Sequence, residues 1–346
     1  EHAPQAVREA EIAEVAFRIS DAATGAPISP LEPAVWINLD KESAGTKDLT
    51  CKDKIGLYLQ GTLSFQADID LNKFYMLVMN NDHSISVVDP ILGVTGITQL
   101  YGMIILKERG EDWVMGPEEK YLYVSMPKSG QVAVVDLETF KVVKNIDAGS
   151  DPARLAMQKD GRYLWVGNNG ETVLQRGVTV IDTSNHMVVA FIPTGAGHHE
   201  IALSDDSLTA YVTNSNAASL SIIDTQQLKK IKDLAVGERP ISVDYSGLSQ
   251  AVYVASEGDG SITVIDGTRH EISQRISTSP GLITLRFAPG ERWGFAVNLK
   301  QDRVYVIDAS SNSLSHNFPV GKQPHQVSFT DTYAYVRSLG ASEMQL

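Results

Sequence analysis

Residues 210–225 read AYVTNSNAASLSIIDT, and residues 252–267 read VYVASEGDGSITVIDG. Each stretch is a β-branched run, a short polar link, and a second β-branched run that closes on an aspartate. The closing run recurs as SVVDP (86–90), AVVDL (133–137), TVIDT (179–183), SIIDT (221–225), TVIDG (263–267) and YVIDA (305–309). Its aspartates, Asp89, Asp136, Asp182, Asp224, Asp266 and Asp308, are spaced by 47, 46, 42, 42 and 42 residues. The run before it recurs as YMLVMN (75–80), YLYVSM (121–126), YLWVGN (163–168) and FAVNLK (295–300), with a last copy, AYVRS (334–338), that no Asp run follows. Earlier in each unit stands a shorter strand, ending at Phe65, Met115, Met157, Leu203, Tyr245, Phe287 and Phe329. QKDG (158–161), SDDS (204–207) and APGE (288–291) supply the tight turns that join antiparallel neighbours.

Four short strands in about 42 residues is the size of one propeller blade. Strands this short and regular argue against alternating β/α units. The expected fold is therefore all-β, a seven-bladed propeller of four-stranded blades over residues 59–346, preceded by an N-terminal β segment, 1–58. Seven first strands face six Asp runs, so the last blade needs outside strands to avoid an open edge. AEVAFRIS (13–20) and PAVWINL (33–39) are the candidates to complete it, and a separate small β-sandwich is the alternative.

AYVTNS with SLSIID, and VYVASE with SITVID, resemble the YVTN family of β-propeller repeats. That family overlaps with propellers similar to the haem d1 domain of cytochrome cd1 nitrite reductases. The resemblance covers roughly residues 60–338 and rests on structural motifs, whose Val and Ile fill space between blades and whose Asp ties down the following turn.

Composition narrows function. The chain of 346 residues carries 29 Lys and Arg against 42 Asp and Glu, a net charge of −13, which repels phosphate backbones and argues against broad nucleic-acid binding. No apolar run approaches the ~18 residues of a membrane span. One cysteine, Cys51, excludes an intrachain disulfide, a Cys-rich zinc site and a CxxCH haem attachment. Lys47, Lys52 and Lys54 beside it make a reactive thiol conceivable, an incidental cysteine being the plainer reading. The opening EHAPQAVREAEIAEVAF lacks a basic start followed by an apolar core, which fits a mature exported chain, periplasmic or extracellular, as well as a trimmed one. DIDLN (68–72) starts like a calcium loop, but Lys73 and Met79 occupy the positions of its glycine and glutamate. No phosphate loop, nucleophile elbow or HExxH occurs.

In a propeller the innermost strands line a central channel. Four positions before each first-strand end lie Glu111, Ala153, His199, Ile241, Ile283 and His325. His199 and His325 thus fall three blades apart, a rotation of about 154° in a ring of seven, nearly across the channel mouth. Two imidazoles there could grip a metal ion, a tetrapyrrole or an anion; the alternative is that they fill turns. His198 adjoins His199, and neighbours on an extended chain point opposite ways. Arg154, Arg239 and Glu111 stand near the same mouth, the arginines suited to carboxylates or to salt bridges between blades.

These features lead to an exported binding protein or interaction scaffold whose ligand sits at the channel mouth, with a small molecule or a protein as partner. The alternative, which the resemblance to haem d1 propellers implies, is a cofactor- or metal-dependent oxidoreductase or cofactor-handling protein. In that case His199 and His325 would flank the cofactor. Its cofactor state is open at this point: none, a single metal ion or a haem-like tetrapyrrole.

Overall fold

The computed structural model describes residues 20–21, 23–26, 36–37, 69–70, 75–89, 99–197 and 199–340. The chain divides into two compact units, Glu1–Tyr75 with Asp89–Gln99, and Met76–Val88 with Leu100–Leu346. In the first unit Trp36–Ile37 pairs antiparallel with Ile69–Asp70. Asp21 holds a turn by accepting hydrogen bonds from the Ala23 and Thr24 amides. Most of the two stretches expected to complete the last blade lies outside the described residues, as does the first strand ending at Phe65.

The second unit is a β-propeller. Seven antiparallel sheets follow one another along the chain among the described residues. Blade one shows three strands, Met76–Met79, Ser84–Asp89 and Gln99–Ile105. Blades two to six show four each, running Trp113–Asp147, Pro152–Pro193, Ile201–Ala235, Pro240–Ser277 and Leu282–Pro319. Blade seven shows two, Pro324–Phe329 and Ala334–Ser338. Strand order in each sheet follows the sequence, so every connection is a simple hairpin. Among the described residues no helix is long and apolar enough to cross a membrane.

The repeated sequence explains this packing. In blades two to six the third strand, which closes on the aspartate, is buried at each of its four central positions. Both its faces are covered by neighbouring blades, which is why it reads as an unbroken apolar run and not as an alternation. The cores accordingly lie between blades. One joins Trp165, Val178 and Val180 of blade three to Ala210, Val212 and Ile223 of blade four. Another joins Tyr253, Ile262 and Val264 of blade five to Leu285, Ala296 and Ile307 of blade six. Outer strands are largely exposed.

Two devices repeat with the blades. The closing aspartate caps the next turn, as expected: Asp182 accepts from the Ser184 amide and hydroxyl, Asp224 from the Gln226 and Gln227 amides, and Asp308 from the Ser310 amide. Such bonds, from the Thr139 amide to Asp136, from Ser184 to Asp182 and from the Arg269 amide to Asp266, hold these three carboxyls below the usual range. Arg292 and Ser310 together take Asp308 down to about 2. In addition, a buried second-strand tyrosine reaches the following blade. Tyr123 meets His186 Nδ1 at 3.1 Å, Tyr211 donates to the Gly267 carbonyl at 3.2 Å, and Tyr253 donates to Asn312. Burial pushes the Tyr123 hydroxyl up to about 12.

Candidate functional site: a six-blade cavity on the propeller axis

The first strands of blades two to seven converge on one cavity of about 720 Å³. A bulge shapes its wall. Pairing shifts register between Pro152 and Arg154, Pro240 and Ser242, Leu282 and Thr284, and Pro324 and Gln326. A bulge re-aims the side chains beside it. One polar side chain from each blade then lines the cavity: Asp112, Arg154, Glu200, Ser242, Thr284 and Gln326. Asp244 and Arg286, two positions further along their strands, add a deeper layer.

These groups form a connected ionic network. Glu200, with only 11% of its side chain exposed, lies between two guanidiniums. Its Oε2 is 3.2 Å from Arg154 Nε, and its Oε1 accepts from Arg286 Nη2. Arg286 also donates to Ser242 Oγ at 3.1 Å and to the Leu285 carbonyl at 2.9 Å. Burial opposes its charge, but Glu200 and Asp244 more than compensate and hold it firmly protonated. Asp112 and Asp244 act as staples between blades. Asp112 accepts the Leu155 amide of blade three at 2.9 Å, and Asp244 the Phe287 amide of blade six at 2.8 Å. Desolvation raises both carboxyls above the usual range, against the pull of Arg154 on one and Arg286 on the other.

The residues expected from sequence divide. Glu111, Arg154 and His325 line the cavity. Burial, with Arg337 and Arg154 near it, lowers the His325 imidazole and favours its neutral form. Arg239 is not on the wall; it bridges 3.1 Å to Glu257, which is. His198 lies outside the described residues. His199 is not on the cavity wall: it is fully buried, with Nδ1 3.2 Å from Asn169 Oδ1 and Nε2 3.0 Å from the Gly195 carbonyl. Gly167 in blade three makes its seat, because a Cβ there would stand 2.6 Å from the His199 carbonyl oxygen and 3.0 Å from its Cβ. The structure therefore corrects the expectation that two histidines face each other across the mouth. A metal or tetrapyrrole held between them does not fit, since both His199 ring nitrogens are committed to protein partners. Among the described residues no three His, Cys, Asp or Glu side chains are disposed to hold a metal ion.

Asp112, Glu200, Ser242, Asp244, Thr284, Arg286 and Gln326 escaped the sequence reading. Their signal was present one column away. Three positions before each first-strand end, six units in a row carry a polar residue, whereas the column chosen mixes Ala and Ile with His and Glu. The cavity offers five carboxylates, two guanidiniums, one imidazole and several neutral donors. Its hydroxyls are engaged with backbone and guanidinium, Thr284 Oγ1 donating to the His325 carbonyl at 3.0 Å and Ser242 Oγ accepting from the Leu285 amide at 3.0 Å. The arrangement suits recognition of a polar molecule by hydrogen bonds and ion pairs.

Fold and axial cavity together define a β-propeller with its polar site on the axis. Comparison with known families is specific: residues 107–290, more than half of the 346, match the family described as YNCE-like beta-propeller, and the chain belongs to that family. A protein of Salmonella typhi named "Uncharacterized protein YncE" is 26% identical over 165 residues, 45% of each chain. Its namesake in Salmonella typhimurium strain LT2 is 32% identical over 69 residues, 20% of each. The chain thus matches less than half the length of these curated relatives. Hydrazine Synthase of Kuenenia stuttgartiensis superimposes with a TM-score of 0.61 at 17% identity, over 76% of this chain and 88% of that one, a likeness of fold alone.

Proposed function

We propose that the protein is a binding propeller whose ligand occupies the axial cavity, contacted by Arg154, Arg286, Glu111 and His325 as well as by the polar column. One observation carries this reading: a 720 Å³ cavity receives a different polar side chain from each of six successive blades. A fold that needed only to close its core would fill the axis with apolar groups, since burying charge without a partner is costly. Here the central charges, Arg154, Glu200 and Arg286, are paired, and both arginines stay partly exposed. Small polar molecules fit the volume and the mixed lining. The same reading has the chain exported to the periplasm, and fractionation of cells expressing the full-length gene product tests that part, with recovery in the cytoplasm against it.

The binding test uses a variant that fills the cavity. Thr284→Trp places a large side chain on the wall while leaving the blade cores untouched. Wild type and variant are screened by thermal shift against divalent metals, haem, carboxylates, amino acids and polyamines. A compound that raises the melting temperature of the wild type but not of Thr284→Trp supports the site. Equal stabilisation of both proteins by every active compound would place binding elsewhere.

A further inference from the structure

A second cavity, of about 470 Å³, opens to solvent at the turns that link first and second strands. Its apolar lining repeats with the blades. It consists of Leu203, Tyr245, Phe287 and Phe329, the residues that the repeat aligns as first-strand ends in blades four to seven. Three of the four are aromatic, and other rings brace them. Phe287 meets the Tyr253 ring edge-on with centroids 4.8 Å apart, and Tyr245 stacks on Tyr211 at 6.2 Å. A lining braced in this way receives the body of a ligand without first having to be ordered.

The rim is charged. Lys159 stands on the blade-three turn, Asp205 on that of blade four and Glu291 on that of blade six. Lys159 Nζ donates to Asp205 Oδ1 and lies 3.2 Å from Glu291 Oε1. Blades three and six are not neighbours, so this pairing reaches across the ring. The Gly247 amide of blade five donates to Glu291 Oε2 and steadies that carboxylate. Asp244, common to both cavities, stands where they meet, and Arg286 compensates it. Two rim carboxylates thus share one ammonium, an excess of one negative charge. The aromatic lining feels that field: burial pushes the Tyr245 hydroxyl up, and Asp205, Asp206 and Glu291 push it further, against Lys159.

The lysine shows what this rim accepts, a primary ammonium held between two carboxylates beside aromatic rings. The faces of such rings attract an ammonium as well. Lys159 keeps 53% of its side chain exposed, so its own hold on the two carboxylates is weak and a second ammonium can displace it.

We propose that the turn-side cavity is a site for an organic cation: a primary amine whose ammonium replaces that of Lys159 between Asp205 and Glu291, and whose apolar body lies on Leu203, Tyr245, Phe287 and Phe329. The site is separate from the six-blade cavity, which lies at the starts of the same strands. Lys159 is then an internal competitor. Removing it strengthens binding, the reverse of what the loss of a supporting ion pair would do.

Calorimetric titration of the full chain with 2-phenylethylammonium tests this, with 2-phenylethanol as the uncharged body and ethylammonium as the bare charge. Wild type should bind the amine at least about fivefold more tightly than either of these. Glu291→Gln and Asp205→Asn should each weaken the amine about two- to fivefold, and Lys159→Met should tighten it by a similar factor. Asp205→Asn carries the test if Glu291→Gln does not fold. Thr284→Trp, which fills the six-blade cavity, should bind the amine as wild type does. An amine that binds Lys159→Met no more tightly than wild type, or 2-phenylethanol bound as tightly as the amine, would overturn the site. So would loss of binding in Thr284→Trp, which would move the amine to the six-blade cavity and support the proposed function instead.

Discussion

Replacing Glu200 with glutamine probes the ionic network at its centre. The carboxylate serves two guanidiniums, Arg154 Nε at 3.2 Å and Arg286 Nη2, from a side chain only 11% exposed. Glutamine keeps one acceptor oxygen but turns an NH2 toward the other guanidinium, so a donor faces a donor. Removing one partner from a buried ion pair costs about 3–5 kcal/mol. Arg154 and Arg286 keep 37% and 38% of their side chains exposed, and that screening brings the expected cost to about 2–3 kcal/mol. For a unit of this size that corresponds to a fall of about 5–10 °C in Tm. Urea unfolding of Glu200→Gln, Arg286→Met and the double variant provides the assay. Arg286→Met alone leaves Glu200 to Arg154 and strips Asp244 of its nearest guanidinium. The double variant should therefore cost at least about 1 kcal/mol less than the two single costs added together. Costs that add within about 0.5 kcal/mol, or a Glu200→Gln protein as stable as its parent, would refute the network as described.

Other expectations follow from single contacts. His199→Ala removes the partner of the half-buried Gly195 carbonyl and Asn169 side chain and should cost about 1–2 kcal/mol in chemical denaturation. His325→Ala, on the cavity wall, should stay within about 0.5 kcal/mol of the parent; the reverse ranking would contradict the assignment. Asp182→Ala, which frees the Ser184 amide and hydroxyl, should cost about 1 kcal/mol and leave ligand stabilisation unchanged. Carboxyls held below their usual value stabilise the fold above pH ~4 and lose that contribution as pH falls. For Asp308 the loss extends to about pH 2. Asp308→Asn should therefore flatten the acid limb of the urea midpoint between pH ~4 and ~2, and superimposable limbs would count against this reading.

The fold was legible because it is written in repetition. Six Asp runs at near-constant spacing can be aligned without knowing what they do, and both faces of those strands are buried, so the apolar signal is undiluted. The cavity was half legible. Arg154, Glu111 and His325 were found by alignment alone, but a bulge in four of the six first strands, those of blades three, five, six and seven, re-aims the next residue. A reading that assumes an even strand therefore picks the wrong column. His199 misled for a related reason: its position in the repeat is that of His325, yet the glycine facing it, Gly167, belongs to the preceding blade and opens a seat that blade six, with Val297 at the equivalent position, does not offer His325. Nor did the chain announce Lys159 with Glu291, partners 132 residues apart whose meeting depends on the curvature of the ring.

The separation of cavity lining from blade packing has a consequence for how such a protein changes over time. Each residue of the polar column sits at or beside the start of its own strand, whereas the cores lie further out, between blades. A substitution at Ser242, Thr284 or Gln326 alters one sector of the wall and leaves the apolar cores between blades as they were. Specificity can then drift sector by sector, each step small and each intermediate folded. Arg154, Glu200 and Arg286 are the exception, because they hold one another: that side of the ring can be rewritten only by changing several residues together, and it is where descent from a common ancestor should remain visible longest.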